Sequence, residues 1–290
     1  MLSNSPGWRS GASFLCLLAL VAIPARARAS SSVDPGFQLP AQPLPPDDSV
    51  FFVGEELTYN VSFGPIDIGQ VRIKLVNRQA GGQDPYYKAT AHIDSYKGVP
   101  LVNLHAVYEN HIGEPIHSAW FHSKKKDGDR YVTDEYTYQY DRHRVLIEEG
   151  TAGSSRIDRR DTLRLDTLFQ DGLSLFFLAR TEVLTNREMT IPTIVSEKKG
   201  TTTIRFSSDR VAERIEAVDY PIDLVHFEGT AGFVGLIGLT GGFEGWFTND
   251  AARVPVIAKM KVVLGNIRIE LMKWKRGGWV PPRAPGGPEK

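Results

Sequence analysis

His111, His117 and His122, with Glu114 among them, are the residues of this chain whose types could hold a metal ion. Zinc sites place ligands in tight local pairs, two His on one helical turn or two Cys in a knuckle. The spacing here puts each His on a separate strand segment, so surface or tyrosine-packed rings are expected and no metal. Arg180 falls on an apolar stripe, where a guanidinium needs a carboxylate partner, an anion or a route to water. Glu55 and Glu109 are the candidate partners; a ligand headgroup is the functional alternative, and Arg180 is kept as a candidate contact residue. Tyr136, Tyr138 and Tyr140 alternate onto one face, and such a ladder stacks either a ligand or its strand neighbours. Asp250, between Asn249 and Arg253, is a rim carboxylate or a turn residue bonding its own backbone, and the second is expected. Nucleophilic catalysis finds no Gly-x-Ser-x-Gly elbow and no Ser-x-x-Lys. Carboxylates are plentiful, but nothing in their spacing poises a pair. The chain reads as a non-enzymatic protein without a cofactor, with a carboxylate-dependent envelope hydrolase as the remote alternative.

The elements that carry these residues are mostly strands. Leu57, Tyr59, Val61 and Phe63 alternate with polar residues, as do Val71, Ile73 and Leu75. Alternation continues through 86–96, 101–112, 116–123, 131–140 and 144–149, broken by turn signals such as Asp127-Gly128. Val254, Val256, Ala258, Met260, Val262 and Leu264 share one parity, and after Gly265-Asn266 the apolar set moves to Ile267, Ile269 and Leu271. A parity switch of that kind marks a turn between two long strands. One helix stands out: Asp171 is placed to cap it by accepting from the Ser174 N–H, and Leu173, Phe176, Phe177, Arg180 and Leu184 follow at three-and-four spacing. Strand after strand with little between them predicts a mainly β fold. The expectation is a curved antiparallel meander, an open or half barrel, with one or two helices packed on it.

Between Gly229 and Gly245 runs a glycine-rich segment almost free of charge, with Phe233, Val234, Leu236 and Ile237 at its centre. As a lid over a cavity or a patch meeting lipid or a partner, these four are the candidate contact residues. As a buried connection they are core.

The 290 residues balance 34 Lys+Arg against 34 Asp+Glu. Arg9, the apolar run 11–23 and the Ala-x-Ala pattern ending at Ala29 predict a secretory signal peptide over 1–29. Its removal leaves 31 cations against 34 acids, a formal charge of about −3, and takes away Cys16, the one cysteine. A near-neutral chain lacks the basic face that nucleic acid requires. No other apolar run is long enough to span a bilayer. Prolines at 35, 40, 43, 45 and 46 predict a disordered tether over 30–49, and those at 281, 282, 285 and 288 a loose tail over 277–290, with Trp279 and Val280 docking before it frays. A single β-rich domain fills 50–276. The localisation expected is the periplasm.

Three stretches together carry a resemblance: Gly54-Glu55-Glu56-Leu57-Thr58-Tyr59, the helix from Gln170 to Arg180, and Trp246-Phe247-Thr248-Asn249-Asp250 running into Arg253-Val254-Pro255-Val256. In order and spacing they resemble the bacterial secreted family catalogued as domain of unknown function 3108, over roughly 50–274. The resemblance implies an envelope protein with a curved antiparallel sheet, and no catalytic residue. In architecture alone such sheets are similar to periplasmic lipoprotein carriers, which hold acyl chains in an open half-barrel. The reading is therefore a binding module for a lipid or other apolar ligand, with an envelope scaffold that docks a protein through a sheet edge as the alternative.

Overall fold

The computed structural model describes residues 50–81, 84–99, 103–232, 239–262 and 265–286. The expected signal peptide, the tether and the four residues Phe233, Val234, Leu236 and Ile237 lie outside them.

Fourteen strands form one antiparallel sheet. The first eight make a meander: β1 (Glu56–Phe63), β2 (Ile66–Gln79), β3 (Tyr86–Ser95), β4 (His105–Gly113), β5 (His117–Asp127), β6 (Arg130–Gln139), β7 (Arg144–Thr151) and β8 (Ile157–Arg164). After the helix α1 (Gly172–Glu182) comes a second meander: β9 (Glu188–Val195), β10 (Lys198–Glu213), β11 (Ile222–Ala231), β12 (Leu239–Thr248), β13 (Pro255–Val262) and β14 (Gly265–Lys275). β14 pairs with β1 and joins the two, so β8 and β9 are the edges of an open sheet. The parity switch at Gly265 is the β13–β14 hairpin, Val262 pairing with Gly265.

Paired residues share a face, so the register traces the inner wall. One row runs Leu57, Ile73, Ala91, Tyr108, Ser123, Asp134, Glu149, Arg159. In the other direction Val61, Ile269, Ala258, Gly245, Phe227 and Phe206 follow one another. The opposite face of β1–β3 carries Glu56, Thr58, Asn60, Arg72, Lys74 and Lys88, which is the reverse of the apolar outer band of a membrane barrel. No helix of the described residues is long and apolar enough to cross a membrane.

α1 lies on the inner face and touches both arms. Phe177 is fully buried among Val50, Phe51, Leu75, Tyr87, Ala89 and Ile112; its ring stacks on Phe51 at 5.2 Å. Ala179 and Val183 pack against Ile191, Ile204, Phe206, Val225, Phe227 and Phe247. The cap is a full capping box: Asp171 Oδ1 accepts from Leu173 N at 2.7 Å and Ser174 N at 3.1 Å, while Ser174 Oγ accepts from Asp171 N at 2.9 Å. Leu184 is not on the packed stripe as the spacing predicts; the helix ends at Glu182 and Leu184 is half exposed.

Two further expectations change. The segment 229–245 is not one loop, because β11 runs to Ala231 and β12 starts at Leu239. Gly229 pairs with Phe243 and Gly245 with Phe227; a Cβ on either would stand 2.5 Å from the opposing ring. Glycine is there to admit a ring, not to make a turn. The tail docks at Trp279 as expected, while Val280 is exposed and the contacts run on to Ala284. Trp279 Nε1 donates to Asp250 Oδ2 at 2.7 Å, Asp223 N to Pro282 O at 2.9 Å and Ala284 N to Pro221 O at 2.9 Å, and Arg283 lies over the Tyr220 ring at 3.9 Å. Proline sets an extended backbone and removes donors, but its carbonyls still accept.

Phe177→Ala should cost about 3–5 kcal/mol by chemical denaturation, since a whole buried ring leaves a cavity. Phe176→Ala should cost less, its side chain being only partly buried. Equal small losses would show that α1 is not wedged between the arms.

Candidate functional site

Among the described residues Arg180 is the largest fully buried side chain. Its Nη1 donates to Glu55 Oε2 at 2.6 Å and its Nη2 to Glu55 Oε1 at 3.0 Å. Nη2 also donates to Ala252 O at 2.8 Å, and Nε to Arg253 O at 3.2 Å. Arg276 Nη1 reaches the same Glu55 Oε1 at 2.6 Å. Arg180 thus has Glu55, not Glu109, as its partner, and four of its donors are engaged inside the protein. Asp250 is a turn residue: Oδ1 accepts from Thr248 Oγ1 at 2.7 Å and Arg253 N at 3.0 Å.

The histidines are ring-packed. His111 stacks on Tyr86 at 4.0 Å and leans on Trp120, and His122 is parallel to Trp120. His117 bonds Pro115 O at 2.5 Å and meets Tyr140 edge-on. Burial lowers the pKa of His111 and of His117. Tyr136 and Tyr138 are core residues, with Tyr136 packed against Phe121 and Phe121 against Tyr108.

Beneath the start of α1 lies a buried polar knot. Asn110 Nδ2 and Ser118 Oγ both donate to Asp171 Oδ2, and Asn110 Nδ2 also donates to Ser118 Oγ at 2.9 Å. Burial pushes the Asp171 carboxyl up to about 6 despite these donors and the helix N–H groups.

Inside the sheet, beyond α1, the wall has two characters. Along β1–β3 and β12–β14 the inward side chains are apolar, and Val71, Ile93, Phe243, Ala258, Met260 and Ile269 are only partly buried. Along β5–β8 the core rows of Phe121, Tyr136 and Ile147 give way to the polar and charged row Ser123–Asp134–Glu149–Arg159. Buried Asp134 accepts from Ser123 Oγ at 2.8 Å and pairs with Lys125 at 2.6 Å. Arg159 pairs with Glu149 at 3.1 Å and also with Glu197 from the β9–β10 turn. Carboxylate oxygens of Asp134, Glu149 and Glu197 lie within 4.8 Å of one another. Lys125 and Arg159 pair with the three carboxylates and offset two of their charges.

A groove of about 560 Å³ sits on the outer face over β10–β13. Its charges pair among themselves, Arg205 with Glu228 at 2.9 Å and Lys259 with Glu244 at 3.3 Å. Its side chains are largely charged, so it is a poor place for an acyl chain.

These features define a class: a barrel-like antiparallel meander with an internal helix and an inner wall part apolar, part charged. Residues 58–272 match the family described as "Protein of unknown function (DUF3108)", and the chain belongs to it. A solved structure titled "Crystal Structure of Beta-barrel-like Protein of Domain of Unknown Function DUF1849 from Brucella abortus" is similar, with a TM-score of 0.51 and 8% identity over 79% of this chain and 100% of that one. At that identity the likeness is one of fold alone. No curated protein matches.

Two expected outcomes follow. Glu55→Gln leaves Arg180 and Arg276 buried without their counter-charge and should cost about 3–5 kcal/mol in urea denaturation; a loss below ~1 kcal/mol would show that water reaches both guanidinium groups. For Asp171, a carboxyl whose pKa is raised on folding, the stabilising contribution is full below its ordinary 3.8 and disappears as pH rises through about 6. The stability difference between wild type and Asp171→Asn should therefore fall from about pH 4 to about pH 6, by up to ~3 kcal/mol, and be flat above. A curve flat throughout would mean that the surrounding donors keep the carboxylate ionised.

Proposed function

We propose that this protein is an exported cell-envelope binding module, without catalytic activity, that holds a lipid or similar long-chain amphiphile against the inner face of its sheet. The observation that carries the reading is the partly exposed apolar wall beyond α1, formed by Val71, Ile93, Phe243, Ala258, Met260 and Ile269. Apolar side chains on the inside of a curved sheet gain most when a ligand completes their burial. The row Ser123–Asp134–Glu149–Arg159 offers a polar pole on the same inner surface, as an amphiphile requires.

Size favours the same reading. Fourteen strands about 4.8 Å apart and tilted by about 40° make a perimeter of roughly 88 Å, some 28 Å across if round. One helix, about 10–12 Å wide with its side chains, leaves part of that section to side chains or a ligand. A scaffold acting through a sheet edge has less support. β8 carries Asp158, Arg159, Arg160, Asp161 and Arg164, and β9 contains Pro192 and is partly covered by Gln170. These are the devices that prevent strand addition.

Ala258→Trp, at the middle of the apolar wall, should lower the affinity for a fluorescent fatty acid at least ten-fold while leaving the fold intact by circular dichroism. Native mass spectrometry of wild-type protein, gently extracted from its own envelope fraction, should show a bound lipid. Protein without adduct, together with no affinity for the probe, would end this reading.

A further inference from the structure

We infer that the boundary between β8 and the β9–β10 turn is a lateral gate through which the ligand of the inner face enters and leaves. This rests on the ligand reading above for its cargo, but not for its opening. Every other boundary in the wall is an antiparallel ladder of backbone hydrogen bonds. Among the described residues β8 and β9 share no ladder. What crosses between them is the pair Arg159–Glu197, a bond of 3.0 Å from Glu197 N to Tyr136 Oη, and Lys199 Nζ donating to Arg164 O at 2.9 Å and to Asp166 Oδ1 at 3.0 Å. One parallel bridge, Gln170 with Thr193, anchors the segment that leads from β8 into α1.

The side chains in these ion pairs are partly exposed, from Glu197 at 25% to Asp166 at 66%, and pairs that water reaches are weaker and screened by salt. β8 is exposed along almost its whole length, including Arg159 and Asp161, which face inward by register. Its sole ladder is the one to β7. A strand with one ladder, apolar burial only at Leu163 near its end and charge–charge contacts on its free side is the part of the wall that opens first. The charged inner row ends at this boundary, so an amphiphile passing through it would keep its polar end among charges while its chain turns toward Ala258 and Ile269.

The test has two readouts on the full chain in a Cys16→Ser background. Hydrogen exchange reports the gate itself. Raising salt from about 0.1 M to about 1 M shortens the screening length from about 10 Å to about 3 Å. It should speed exchange of the 157–164 amides at least ten-fold and leave β1 and β14 unchanged. Arg159→Ala should show the fast rate already at low salt. Stopped-flow exchange of a fluorescent fatty acid reports passage. Joining Asp166→Cys to Lys199→Cys, the other pair across the boundary, with a cleavable bis-thiosulfonate should slow both entry and release at least ten-fold relative to the reduced double variant with little change in affinity, and reduction should return the fast rates. If β8 amides are as protected as those of β7 at both salts, the gate is wrong whether or not the probe binds. Salt-dependent opening without probe binding upholds the gate and rejects the ligand. Probe exchange unaffected by the crosslink places the entrance elsewhere and overturns the inference.

Discussion

The Glu55 carboxylate, buried between the guanidinium groups of Arg180 and Arg276, fixes the rest of the structure. Each ion taken from water costs several kcal/mol unless its hydrogen bonds are replaced. Here they are replaced only when four parts of the chain are in place: the entry to β1, the helix, the 252–253 turn whose carbonyls accept from Arg180, and the end of β14. The three stretches that carry the sequence resemblance, Gly54–Tyr59, Gln170–Arg180 and Trp246–Val256, are those that meet at this carboxylate. A misplaced α1 leaves charge uncompensated, which apolar packing alone would not penalise as sharply. The network therefore selects one docking position for a helix that must serve two arms of a sheet.

That position decides what the inner face becomes. Phe177 fills the space against β2–β4 and Val183 the space against β9–β12, so the section containing α1 is a packed core. Away from it the same inward rows continue with smaller or less covered residues, Ala258 and Val71 among them. The meander makes this division without a second sheet: alternation continues along each strand, and only the presence or absence of the helix changes what the apolar residues touch.

Strand identity, the β13–β14 hairpin, the Asp171 cap, the Asp250 turn and a glutamate partner for Arg180 were legible in the sequence, because each depends on residues a few positions apart or on a rule that admits few partners. The row Ser123–Asp134–Glu149–Arg159 was not. Its members lie on four strands, and only the register, set by hairpins and by bulges such as the one between His111 and Ile112, brings them side by side. Glycine misled for a related reason: at 229 and 245 its value is the room it leaves for a ring on the next strand, and that ring is named by pairing, not by neighbours. Proline misled at the C-terminus because composition reports extension, while docking depends on donors elsewhere, Asp223 N for Pro282 and Tyr220 Oη for Pro281.

The two ionic clusters of the fold act in opposite ways because water reaches them differently. Around Glu55 no solvent competes, so the charges lock sheet, helix and turn together whatever the salt. Between β8 and the β9–β10 turn the charges are hydrated, and the same kind of pair holds only loosely. The dry network sits at the helix and the wet one at the two edges of an open sheet, so the wall is rigid where it is a core and more yielding at its edges, which is the property the proposed ligand passage would use.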